Sequence, residues 1–254
     1  MNSASAGVKP IFAGFFAAVA GLLIGSRYFP TSEAMAASAF VAIGLGQLMH
    51  ELLDYNRRVI WSGEVSGTEA NRKLALELGG IFCGVLLAAT LFYSYGQPIG
   101  AINPRLVYRN ELVPLISHNF LVLLVCTLIT FVYRASGLVL VLSWNALGWA
   151  EALSNYIRMT GNGSSLGTGI VVVLILLPHL LLEAFAYVLA GMGGLFLSKA
   201  VTKYAIRSAE FRQVFKASAA LVAASLVILG LAGAVEYYFA QPLFQRSLNT
   251  SSII

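Results

Sequence analysis

The chain has 254 residues, of which 58% are hydrophobic and 11% charged, and its mean hydropathy is +0.80. Soluble domains carry about 25% charged residues, so too few charges are present to cover a water-facing surface of this size, and the polar stretches are too short to fold alone. The formal charge of +5 comes from 16 Lys and Arg against 11 Asp and Glu; the basic residues fall between apolar runs without interleaved aromatics, which excludes nucleic acid as a partner and points to lipid headgroups.

Seven apolar runs approach the roughly 20 residues that a helix needs to cross hydrocarbon: 10–26, 34–53, 74–96, 114–133, 135–153, 168–198 and 217–239. They are continuous rather than alternating, which argues for helices over a barrel. The expectation is an all-α polytopic transmembrane bundle of about seven helices. The first run resembles a secretory signal in length. Gly25-Ser26-Arg27-Tyr28-Phe29-Pro30 is a poor small-x-small cleavage site, so the run reads as an anchor. Run two ends in His50-Glu51-Leu52-Leu53-Asp54, which is similar to the zinc-protease pattern His-Glu-x-x-His with Asp in the last place. That pattern works because two imidazoles one turn apart grip zinc while the Glu activates water. Asp breaks it, and the plainer reading is a helix end at the membrane interface. The charged linker 54–73 follows and marks a boundary: 1–73 holds two N-terminal spans and a basic loop, 74–240 a five-helix core, and 241–254 a flexible tail.

Cys83 in the third run and Cys126 in the fourth have no paired spacing, and both read as small buried hydrophobes. Little more than Arg134-Ala135-Ser136-Gly137 separates runs four and five. The sixth run, 31 residues or about 46 Å at 1.5 Å per residue, exceeds a hydrocarbon core of about 30 Å. Pro178 lies within it and predicts a kink, a break or a strong tilt. Asn162-Gly163-Ser164 and Asn249-Thr250-Ser251 fit the glycosylation sequon and would face outward.

With the N-terminus inside, 11 of the 16 Lys and Arg fall in cytoplasmic segments. The bias predicts a multi-pass protein of the cell membrane, N-terminus cytoplasmic and C-terminus outside. Dropping one span would put the two basic stretches, 54–73 and 199–216, on opposite faces. Small residues recur every fourth position at Ala17, Gly21 and Gly25, at Gly80, Gly84 and Ala88, and at Ala186, Ala190 and Gly194. This spacing lets helices approach closely, either within one chain or between copies in a homo-oligomer.

Polar side chains inside apolar runs are costly and mark candidate sites. His118 and Asn119 open the fourth run, Asn145 lies midway along the fifth, and His179 and Glu183 share one face of the sixth at i and i+4. Three readings stay open. The set is an interhelical hydrogen-bond network, a proton- or ion-handling site, or a metal site of His118, His179 and Glu183. Their depths count against the metal, since His118 and His179 differ by about 9 Å along their helices at 1.5 Å per residue. No Ser-His-Asp order, Gly-x-Ser-x-Gly or Walker motif appears, and Ser136 and Ser143 have no base nearby in sequence. No cofactor is called for, a metal ion being the one candidate, and a non-enzymatic role is favoured.

His118-Asn119, Gly137, Asn145-Ala146-Leu147-Gly148, the stretch from Leu177-Pro178-His179 to Glu183, and Ala190-Gly191-Met192-Gly193-Gly194-Leu195 together resemble the stage II sporulation protein M (SpoIIM) family over roughly 75–240. Two departures stand out: Leu180 replaces the family's Gly after Pro-His, and Tyr133-Arg134-Ala135-Ser136-Gly137 replaces its turn. The resemblance implies an integral membrane protein of bacteria or archaea whose five polar positions are those named above. Some members are similar to scaffolds that hold cell-wall-degrading enzymes at the septal membrane. Many occur in organisms that never sporulate. The function expected is therefore a non-enzymatic scaffold or assembly component with other membrane or envelope proteins as partners. The alternatives are a transporter or channel component using the His/Glu site, and an intramembrane metallohydrolase.

Overall fold

The continuous apolar runs become helices because each helix satisfies its own backbone groups, which hydrocarbon cannot do. The computed structural model describes residues 8–95, 112–161 and 166–243, and these form no strand. In order they are α1 (Val8–Tyr28), α2 (Glu33–Gly44), α3 (Gly46–Trp61), α4 (Gly67–Tyr95), α5 (Leu112–Gly161), α6 (Leu166–Lys203) and α7 (Ala209–Val235), closed by a π-helical turn, Glu236–Ala240. The two sequons and nearly all of the 241–254 tail lie outside the described residues.

Helix ends near the basic stretches carry local signals. Gly63, at φ 73°, takes the left-handed position after α3. The Ser66 hydroxyl accepts from the Glu69 amide at the start of α4 (3.2 Å). The Ser208 hydroxyl accepts from the Phe211 amide at the start of α7 (3.0 Å). Each cap answers one of the amides a helix start leaves without a partner.

The unusual geometry of α5 lies at Arg134, with φ 56° and ψ −129°. A Cβ placed on Gly137 would sit 2.6 Å from the Ile129 carbonyl oxygen. Eight residues of straight helix span about 12 Å, so the chain doubles back and α5 is two arms, 112–133 and 135–161. The Asn145 amide, 3.8 Å from Cys126 Sγ, shows the arms side by side. Each arm has the length to cross. Five helices are long and apolar enough to span as they stand, and the bent α2–α3 pair makes a sixth when taken as one. Counting α5 as two arms gives six segments long enough to cross on their own, with the bent α2–α3 pair standing for the remaining run of the seven the sequence predicts.

Two expected elements differ. The second run, expected as one span over 34–53, bends by 52° between α2 and α3, at Leu45. With 12 residues, or about 18 Å, α2 cannot cross alone. α3 buries Met49, Leu53, Asn56 and Val59 on one face and exposes His50, Glu51, Arg57 and Arg58 on the other. A polar helix with one apolar stripe lies along an interface rather than through it. The expected linker 54–73 is thus mostly helix. Of the kink, break or tilt expected of α6 at Pro178, a break is absent, because the helix continues through it.

Glycine lets the helices touch at backbone level. A Cβ on Gly84 of α4 would overlap the Ile11 carbonyl of α1, and one on Gly21 would sit 2.8 Å from the Ala37 carbonyl of α2. On α6, a Cβ on Gly194 would sit 2.6 Å from the Thr127 carbonyl of α5. The small-residue lines are therefore used within the chain. One core runs from Leu22 of α1 through Phe82 of α4 and Leu142 of α5 to Leu229 of α7. α1 packs most closely on α4, so the two N-terminal helices are built into the bundle. Cys126 is buried as expected; Cys83, expected buried, is exposed on α4, because it sits on the face turned away from α1.

The rings of Trp61 and Tyr204 lie 6.2 Å apart, so the α3–α4 and α6–α7 connections share one end of the bundle. Arg134 acts electrostatically on Lys199 at that end. Four crossings separate the two connections, the number that keeps both basic stretches on one face.

Two expectations test this architecture. Gly84→Leu should lower the detergent melting temperature, with an overpacking cost of about 1–3 kcal/mol, whereas Gly79→Ala, where a Cβ meets nothing within 4 Å, should leave it unchanged or raise it. Arg134→Gly should stabilise the hairpin by about 1 kcal/mol and Arg134→Val should destabilise it, because only glycine tolerates that backbone without strain; paired thermal melts read both.

Candidate functional site

α6 carries Pro178, His179, Glu183 and Tyr187 in its middle. His179, Glu183 and Tyr187 stand four residues apart and so line one face, and all three are buried, at 6%, 5% and 2% exposure. The first arm of α5 meets this face with Asn119, itself buried. The Asn119 amide donates to a Glu183 carboxylate oxygen at 2.5 Å, across 64 positions of chain. Gly194, three turns further along α6, closes the same pair of helices at backbone level. The carboxylate therefore sits inside a tightly packed seam, and the amide is its direct partner.

The five sequence-predicted residues do not all converge. Asn119 and Glu183 meet. His179 lies one turn away on α6, and its Nδ1 has no hydrogen-bond partner among the described residues. Asn145 lies on the second arm of α5, where its amide donates to the Val141 carbonyl of its own helix (2.9 Å). His118 is exposed, turned about 100° around its arm from the buried Asn119. Among the described residues, no group of three His, Cys, Asp or Glu has the geometry to hold a metal ion. The His50/Asp54 pair is an exposed contact at 3.3 Å that continues to Arg57 at 3.4 Å. Leu180, the residue in place of the family's glycine, is buried.

Sequence reasoning missed Glu236. It opens the π-helical turn after α7 and accepts from the Gln241 amide at 3.3 Å. It is the charged neighbour that acts on Glu183. Its signal was present: a lone acid inside the last apolar run meets the same rule that singled out Glu183. π-turns of this kind gather at functional positions. The site is thus a buried carboxylate on α6 and a half-buried one at the end of α7, with an amide clasp from α5 and a histidine one turn away.

Removing one side of the clasp should cost more than replacing both. Asn119→Leu and Glu183→Ala should each lower stability by about 1–2 kcal/mol, since each leaves a partner unpaired in hydrocarbon. Glu183→Gln keeps an acceptor for Asn119 and should melt near wild type, and Asn119→Leu with Glu183→Leu should recover part of the single-variant loss. A double-mutant cycle in detergent melts measures this; additive losses would show that the two side chains are not coupled.

No curated protein matches the chain, and no solved structure does. The family model described as stage II sporulation protein M matches residues 74–241, from within α4 through the π-turn. That stretch contains every member of the buried site and covers well over half of the sequence, so the chain belongs to the stage II sporulation protein M family.

Proposed function

We propose that this integral membrane protein is a non-enzymatic scaffold or assembly component, with its basic end in the cytoplasm. The observation that carries the reading is the Asn119–Glu183 hydrogen bond. It engages the most deeply buried carboxylate with a neutral amide from the facing helix, an arrangement that fixes helix register rather than one that turns over a substrate. The distribution of burial supports it too. The α4 span is 56% buried within the chain, whereas the α5 and α7 spans are 22% and 28% buried. Their outward faces, with Phe120, Leu124 and Leu128 on α5 and Val227 and Leu231 on α7, suit the helices of other membrane proteins or of a second copy. The clasp holds those faces in a fixed relation.

A second reading has its own support. Glu183 and Glu236 are two neighbouring carboxylates, and His179 beside them has an unpartnered nitrogen. Such groups suit proton or ion handling. An intramembrane metallohydrolase has no comparable support.

Two measurements separate the readings. Purification of the tagged chain from its native membrane, after crosslinking, should recover a complex of fixed stoichiometry, and a Phe120→Ala, Leu124→Ala variant that folds normally should recover less of it. Recovery of wild type always alone would overturn the scaffold. Proteoliposome flux should be at background for both wild type and Glu183→Gln; flux in wild type that Glu183→Gln abolishes would establish the second reading instead.

A further inference from the structure

At the basic end, α3 lies over the start of α4, the end of α6 and the start of α7. A cavity of about 430 Å³ opens between them, a size typical of small-ligand pockets. Leu53, Ile60, Phe196 and Val214 supply apolar walls. Arg57, Lys199 and Lys203 stand against the single carboxylate Asp54, to which Arg57 is already paired. A second cavity of about 280 Å³ shares Asp54, Arg57, Trp61 and Lys203 with the first and adds Arg58. The two form one space, greasy on the bundle side and cationic at its mouth.

Two amide groups in this space are unsatisfied. Asn56 is only 6% exposed, yet its Nδ2 has no hydrogen-bond partner, and neither has Asn71 Oδ1 on α4. Both residues line the larger cavity. A buried unpaired amide costs about 1–3 kcal/mol. On α3, whose other buried residues are apolar, Asn56 adds nothing to packing that a leucine would not. A donor and an acceptor, cations at the mouth and apolar walls behind are complementary to one kind of molecule: an amphiphile whose head carries a phosphate to accept and a hydroxyl to donate.

We infer that the space between α3, α4 and α6–α7 is a binding site for an anionic phospholipid with a hydroxylated headgroup, the phosphate facing Lys199, Lys203 and Asn56 and the acyl chains running along Phe196 and Val214. A bilayer supplies this ligand at the depth where an amphipathic helix lies. The site is independent of the Asn119–Glu183 clasp and of the scaffold reading.

Native mass spectrometry of the full-length protein in mild detergent tests it, with phosphatidylglycerol, phosphatidylcholine and inorganic phosphate as probes. Wild type should retain one phosphatidylglycerol in preference to phosphatidylcholine, and phosphate should not displace it. Lys199→Gln with Lys203→Gln should weaken retention about thirtyfold, from about fivefold for each cation near a headgroup. Arg212→Gln with Lys216→Gln removes the same charge from the same end without touching the cavity and should change little. Val214→Trp fills the apolar wall at constant charge and should abolish retention. Equal losses in the two charge pairs, or full retention in Val214→Trp, would overturn the site; displacement by phosphate at equal concentration would overturn the lipid as its ligand. A photoreactive phosphatidylglycerol on wild type needs no variant to fold. It should label the end of α6 and α3, and labelling spread over the outer faces of α5 and α7 alone would also sink the proposal.

Discussion

A chain immersed in hydrocarbon must satisfy its polar groups from within, and every irregular feature of this protein answers that demand. A straight helix satisfies its own backbone. Three departures from straight helix, the reversal at Arg134 and the connections around Gly63 and Ser208, lie together at the basic end. Where a charged group cannot be avoided in the interior, a partner comes from the facing helix, as Asn119 does for Glu183. Glycines at positions 84 and 194 bring backbones together so that dispersion replaces the hydrophobic drive that lipid does not supply.

The parts of the fold legible in the sequence were those governed by length and apolarity. Seven runs predicted about seven helices, and the Trp61–Tyr204 contact brings the two basic connections to one end, as an even number of spans between them requires. What hydropathy could not show was direction. The run at 34–53 stays apolar past Leu45, yet its pattern changes there from uniform to one-sided, and a one-sided helix turns to lie along the surface. Pro178 was expected to kink, break or tilt α6. Helix continues through it, while Arg134, an ordinary residue, takes the backbone that reverses the chain. The signal for the reversal was the short polar stretch around it, not the residue's own propensity.

The candidate site was half legible for a related reason. Burial in lipid marks Glu183 and Asn119 as needing partners, and their pairing follows. Spacing along one helix does not tell which face its neighbour covers, so the exposed His118 was grouped with the buried Asn119, His179 and Glu183. Glu236 was overlooked although it lies inside the last apolar run, where the rule that singled out Glu183 applies equally. Its place at a π-turn adds a second carboxylate to the site and is what keeps proton handling a competing account of the cluster.

The two polar regions are solved by different means, and the difference bears on what each can do. In the bundle interior the Glu183 carboxylate finds its amide inside the chain, so that pair needs no ligand and acts by holding α5 against α6. At the basic end Asn56 is buried to a similar degree, but its Nδ2 has no acceptor among the described residues. A protein that satisfies a costly carboxylate deep in hydrocarbon has no evident packing reason to strand a far cheaper amide near the surface, where a bond or an apolar substitution is easily reached. The stranded amide is best understood as a group whose partner arrives from the bilayer. On that view α3 is not a linker between spans. It is the wall that converts the cationic end of the bundle from a diffuse field into a shaped recess.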